Sequence, residues 1–247
     1  MTAIIEVENV SKSYGGVLAN SDISLTVEKG SITGLIGPNG SGKTTMFNSI
    51  VGFHPIDRGS IRFEGREISR LRVPEIARLG LLRTFQQTRI YGRISCMENM
   101  LISVPYRKQR FRDLFGGHEA EDRARAEQLL DFVGLYEKRH LLGGDLSFGQ
   151  QKLLEFGMAL MNEPTVLMLD EPTAGINPTL INGLIDRLKR ANQELGITLF
   201  VIEHNMRVIM NLAERIYCLA HGQLLAEGSP EEIQNDQRVI DAYLGAH

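Results

Sequence analysis

The sequence predicts an α/β fold: a parallel-sheet core with an antiparallel β subdomain and an inserted helical subdomain. Three observations predict it. Residues 165–170 and 197–202 are short continuous apolar runs, the pattern of central strands buried on both faces. The first third of the chain alternates apolar and polar residues between glycine turns. From about residue 88 to 160 strand signals fade and helical periodicity replaces them. We therefore read a single domain over residues 1–247, with its core at 1–87 and 160–247 and a helical subdomain at 88–159.

The elements follow in order. Ile5, Val7 and Val10 precede a Gly15-Gly16 turn, and Ile23, Leu25 and Val27 alternate with polar residues up to the turn at Glu28-Lys29-Gly30. Residues 31–36 form a short apolar strand that enters a glycine-rich loop. A helix from about 42 to 51 ends at Gly52, a natural stop. Residues 61–65 read as another strand and turn, and 119–133 as a helix ending at Gly134. Between the two apolar runs, Asn177 caps a helix with Pro178 at its first position, and Gly196 ends it. A hairpin spans 217–226 around His221-Gly222, and Ser229-Pro230-Glu231-Glu232 opens a short helix as a capping box.

Three motifs carry chemistry. Gly37-Pro38-Asn39-Gly40-Ser41-Gly42-Lys43-Thr44 matches G-x-x-x-x-G-K-T between a strand and a helix. Its glycines let backbone N–H groups surround phosphate oxygens, and the helix start adds partial positive charge. Lys43 is expected to reach the β- and γ-phosphates, Thr44 to place its hydroxyl on Mg²⁺, and Thr45 to lie near the α-phosphate. Val166-Leu167-Met168-Leu169-Asp170-Glu171 is a buried strand ending in two carboxylates. Asp170 is expected at Mg²⁺ through water, leaving Glu171 to polarise an attacking water. In Leu146-Ser147-Phe148-Gly149-Gln150, Ser147 and the N–H groups of Gly149 and Gln150 make a second anion-binding helix start. It has no lysine or metal carboxylate of its own, so it makes sense as the cover of a phosphate held by another subunit.

With these motifs in place, nearly the whole chain resembles the ATP-binding cassette ATPase of an ABC transporter. The resemblance implies a RecA-like P-loop NTPase core. Residues 146–150 resemble the LSGGQ signature, with Phe148 in place of its first glycine. Tyr14 resembles the aromatic residue that stacks on adenine. Gln86 resembles the Q-loop glutamine that contacts Mg²⁺ and water, and His204 the switch histidine that bonds the γ-phosphate and holds Glu171. Ala174-Gly175-Ile176-Asn177 occupies the D-loop, with Asn177 where aspartate is commoner. The family implies ATP and Mg²⁺ as cofactors and a head-to-tail pair of cassettes, the second being a different chain. It also implies two membrane-spanning permeases, served indirectly by a periplasmic substrate-binding protein. Their coupling helices are expected at grooves around residues 86–115. Several segments, including Arg83-Thr84-Phe85-Gln86 and the tail from Gly228 to Gly245, look like bacterial importers of branched-chain and other hydrophobic amino acids. Urea and short-amide importers are the nearest alternative, then lipopolysaccharide export and the ABC ATPases that act outside transport.

Bulk properties narrow the remainder. With 27 Lys+Arg against 30 Asp+Glu the net charge is −3, so no strong basic field attracts nucleic acid, and no such partner is expected. The basic run at 107–112 reads as a solvated face. Cys96 and Cys218 match neither zinc nor redox spacing, and Cys218 reads as a buried thiol suited to a reducing cytoplasm. No signal peptide is read, and no apolar run nears the roughly 20 residues of a membrane helix. The expected location is therefore cytoplasmic, peripheral on the inner face of the cytoplasmic membrane through its partners.

Overall fold

The computed structural model describes residues 2–84, 90–104 and 117–244. The chain divides into two compact units. The first is Met1–Arg83, Thr165–Pro172 and Lys189–His247; the second is Thr84–Pro164 and Thr173–Leu188.

Two sheets build the first unit. Strands β1 (Ala3–Tyr14) and β2 (Val17–Glu28) pair across the Gly15-Gly16 turn, where both glycines have positive φ. Adding β4 (Arg58–Phe63) and β5 (Arg66–Glu67) gives an antiparallel sheet of order β2-β1-β4-β5. In register, Val7 faces Leu25 on one side and Ile61 on the other, and all three are buried. This is the alternation the sequence predicts.

The second sheet has the order β10-β9-β3-β8-β7-β6. Its strands are β3 (Ile32–Ile36), β6 (Leu81–Arg83), β7 (Val166–Asp170), β8 (Thr198–Ile202), β9 (Arg215–Ala220) and β10 (Gln223–Gly228). All of its pairs are parallel except β9–β10. Every residue of β3, β7 and β8 is buried, which explains why apolar residues dominate all three. Helix α1 (Lys43–Ile50) packs Met46, Phe47 and Ile50 into the core, with the Phe47 and Phe200 rings 4.8 Å apart. The short helices α2 (Val73–Arg78) and α7 (Met206–Leu212) belong to the same unit. The Tyr217 hydroxyl ties the sheets together, accepting from the Thr26 amide (3.1 Å) and donating to the Thr26 carbonyl (2.9 Å).

Register places the site. Leu35 of β3 and Asp170 of β7 both lie opposite Ile202 of β8. The carboxyl ends of the three strands therefore sit side by side, and the loops after them emerge at one sheet edge, where open α/β sheets bind ligands.

In the second unit α3 (Cys96–Ile102), α4 (Gly117–Phe132) and α5 (Phe148–Leu160) pack on one another. A Cβ on Gly157 would lie 3.2 Å from Met100 Sδ, so glycine permits this approach. Helix α6 (Pro178–Leu195) joins β7 to β8, and its first part belongs to the second unit. Among the described residues no helix is long and apolar enough to cross a membrane. Both cysteines are buried free thiols, and burial pushes Cys218 up to about 11.

Candidate nucleotide site

The loop after β3 is shaped by close approach. Gly37 has φ 144°, and a Cβ there would sit 2.1 Å from the Leu219 carbonyl oxygen. A Cβ on Gly42, at φ 99°, would sit 2.4 Å from the Ala19 carbonyl oxygen. No other residue type fits either position. The N-terminus of α1 carries no side-chain cap and no acidic residue in its first turn. Its amides and its dipole are therefore free to meet an anion.

Lys43 folds back under the loop. Its Nζ donates to the carbonyls of Gly37 (2.8 Å) and Pro38 (2.9 Å) and, at longer range, to Ser41 Oγ (3.5 Å). Burial lowers its pKa, while the nearby carboxylates of Glu171 and Asp170 oppose that shift. Thr44 is exposed and Thr45 half-buried at the same helix start.

Asp170 is buried at the end of β7. One oxygen, Oδ2, accepts from Arg83, whose guanidinium also donates to Asn48 Oδ1. The other oxygen, Oδ1, is buried without a hydrogen-bond partner. An unpartnered carboxylate oxygen near Lys43, with a threonine hydroxyl exposed at the start of the same helix as that lysine, fits a hydrated divalent cation shared with phosphate. Among the described residues no cluster of three His, Cys, Asp or Glu side chains is placed to hold a metal unaided.

Arg83 and Asp170 side chains are 8% and 1% exposed, so either one alone would be a buried uncompensated charge. We expect Arg83→Ala to cost about 3–5 kcal/mol of stability, measured by urea denaturation. Adding Asp170→Asn should restore part of it. A loss within the range of a surface pair, under about 1 kcal/mol, would contradict the pairing.

Glu171 adopts a left-handed backbone, φ 49°, fixed by its amide donating to the Ile202 carbonyl (2.9 Å). For a residue with a Cβ this conformation costs about 1 kcal/mol or more, and such strain collects at functional positions. His204, in the loop after β8, places Nε2 2.6 Å from Glu171 Oε1. Two residues that are 33 positions apart in sequence are thus brought into contact at the sheet edge.

Tyr14 ends β1 with its ring 46% exposed and His54 edge-on at 5.4 Å. Lys12 lies 5.4 Å from the same ring centroid. Asp57 accepts from the Ser13 hydroxyl and amide and from Lys12, which together pull its carboxyl down to about 2. This network fixes the strand end that presents Tyr14.

In the second unit, Ser147 caps α5. The Gln150 amide donates to Ser147 Oγ (3.4 Å), and the Ser147 amide donates to Gln150 Oε1 (3.1 Å). Ser147 is exposed, and its hydroxyl hydrogen is left to donate elsewhere. The Phe148 ring covers the D-loop glycine: a Cβ on Gly175 would meet it at 2.9 Å. Asn177 accepts from the amide and hydroxyl of Thr179, acting as the helix cap the sequence predicts. Gln86 and the basic run at 107–112 lie outside the described residues.

Sequence reasoning did not assign Arg83, Asn48 or Tyr243 to the site. Arg83 stands three positions before Gln86 but matches no ligand pattern. Tyr243 donates no spacing signal at all, lying 206 residues from the loop it touches.

Comparison with known proteins agrees with this geometry. The ABC transporter family model matches residues 20–174. A second, described as branched-chain amino acid ATP-binding cassette transporter, matches residues 223–247. The probable branched-chain amino acid transport ATP-binding protein LivG of Archaeoglobus fulgidus is 37% identical, over 98% of this chain and 96% of that protein. The high-affinity branched-chain amino acid transport ATP-binding protein BraF of Pseudomonas aeruginosa is also 37% identical, over 98% of each. A crystal structure of an ABC-transporter ATP-binding cassette in its ADP conformation superposes with a TM-score of 0.88 at 33% identity, covering 99% of this chain and all of that one. The α/β architecture is accordingly the RecA-like P-loop NTPase fold, and the chain belongs to the ABC transporter family as an ATP-binding cassette ATPase.

Proposed function

We propose that this chain is the ATP-hydrolysing subunit of an importer for branched-chain or other hydrophobic amino acids. The family's ATP-binding proteins work with membrane permease components. Here we propose two permeases, a second and different cassette, and indirect service by a periplasmic binding protein. The permeases would hold the chain on the inner face of the membrane. The observation that carries the solute class is the match of the tail, residues 223–247, together with full-length similarity to LivG and BraF.

Each residue has a defined task in this reading. The loop amides and the Lys43 ammonium bind the β- and γ-phosphates, and Tyr14 stacks on adenine. Thr44, Gln86 and the free oxygen of Asp170 would hold Mg²⁺, with Arg83 fixing the other Asp170 oxygen. Bound there, Mg²⁺ offsets charge on the phosphate oxygens. Glu171 orients the attacking water and accepts its proton, while His204 holds Glu171 and bonds the γ-phosphate. Ser147, Gly149 and Gln150 of a second cassette complete the phosphate shell, a helix start offered to an anion.

Uptake in cells deleted for this gene tests the solute. Leucine, isoleucine and valine uptake should fall and return with the wild-type chain but not with Lys43→Ala. Loss of urea or short-amide uptake, with leucine uptake retained, would overturn the assignment.

A further inference from the structure

The outer wall of the phosphate loop is built from the far end of the chain. After α8 (Pro230–Asn235), helix α9 (Gln237–Leu244) runs to the loop. Its start is fixed by Asp236, whose side chain accepts from the Arg238 amide (2.9 Å) and pairs with the Arg238 guanidinium. Val239 buries beneath it. At the other end the Gly37 amide donates to the Tyr243 hydroxyl at 2.8 Å. Burial pushes this phenol up to about 12, so it remains a neutral hydroxyl at ordinary pH. A cleft of about 270 Å³, flanked by Asn39, Gly40, His221 and Asp241, separates the rest of the loop from α9. Tyr243 is thus the point at which the tail grips the loop.

Gly37 is where such a grip has most effect. It is the pivot between strand and loop, it has a glycine-only φ, and Lys43 Nζ bonds its carbonyl. A phosphate loop gathers N–H groups that lack a partner until an anion arrives. Any order imposed beforehand is order the nucleotide need not supply.

We propose that Tyr243 is a positioning residue for the phosphate loop, its hydroxyl holding the Gly37 amide so that the C-terminal helix sets nucleotide affinity. This rests on the reading of residues 37–44 as the ATP loop. Tyr243→Phe keeps the ring and removes only the acceptor. It should weaken binding of a fluorescent ATP analogue about three- to tenfold, the worth of one neutral hydrogen bond. It should also speed hydrogen–deuterium exchange in the peptide carrying residues 37–42. Tyr217→Phe is the control, since it too loses a part-buried, hydrogen-bonded hydroxyl, but one bonded to Thr26. It should lower the melting temperature while leaving affinity and loop exchange unchanged.

The outcomes separate cleanly. If Tyr243→Phe lowers melting but binds the analogue as wild type does, with unchanged loop exchange, Tyr243 is only structural and the proposal fails. Equal weakening in Tyr217→Phe would also overturn it, by making the effect one of general stability. If wild type and Lys43→Ala bind the analogue equally, the site reading itself is wrong.

Discussion

Glu171→Gln should stop ATP turnover while leaving ATP binding intact. The amide keeps the size and shape of the carboxylate, whose Oε1 lies 2.6 Å from His204 Nε2. The left-handed backbone at φ 49° and the amide bond to Ile202 are main-chain features and are unaffected. What disappears is the carboxylate oxygen proposed to take the proton of water. General-base removal costs about 10²–10⁴ in rate, so phosphate release should fall by that factor at saturating ATP. Bound ATP then persists, and the variant should collect as an ATP-held dimer on sizing chromatography. Turnover at the wild-type rate would show that Glu171 is not the base.

Much of the geometry of the candidate site could be read from the sequence because its parts are local. The loop at 37–44 is one continuous segment whose glycines mark the close backbone approaches found at Gly37 and Gly42. Asp170 and Glu171 follow a run that burial on both faces makes uniformly apolar. Hairpins at Gly15-Gly16 and His221-Gly222 declare themselves because positive φ selects those residues.

What escaped reading is either short or distant. Strand β6 is three residues, Leu81–Arg83, too brief to show any period, and it ends in a charge. That charge is legible only once Asp170 is seen beside it, 87 positions away. The first part of α6, continuous with the rest of the helix in sequence, groups with the second unit because contacts rather than sequence decide membership. Tyr243 meets Gly37 only through the folding of the tail. Asn177 shows the converse. A position read against an expected aspartate works as a cap through its carbonyl oxygen, which asparagine shares with aspartate.

The central claim is that one cassette supplies Lys43 and another supplies Ser147 to the same nucleotide. Ser147→Arg puts a bulky cation at the exposed start of α5. It loses a helix cap worth about 1 kcal/mol, which a folded domain tolerates. It should abolish hydrolysis yet spare ATP binding to the single chain, since residues 37–45 and Tyr14 are untouched. Lys43→Ala removes charge-assisted bonds to phosphate worth about 1.5–3 kcal/mol, so binding itself should weaken roughly ten- to a hundredfold. Each variant alone should be inactive. Mixed without the second cassette, two copies of this chain pair with one intact composite site, Lys43 from one copy and Ser147 from the other, beside one site carrying both defects. The decisive measurement is therefore phosphate release from the equimolar mixture against each variant alone. Activity that returns on mixing, and rises more than linearly with protein concentration, is the predicted result. Full activity of Ser147→Arg by itself, at a dilution where the chain is monomeric, would contradict the account.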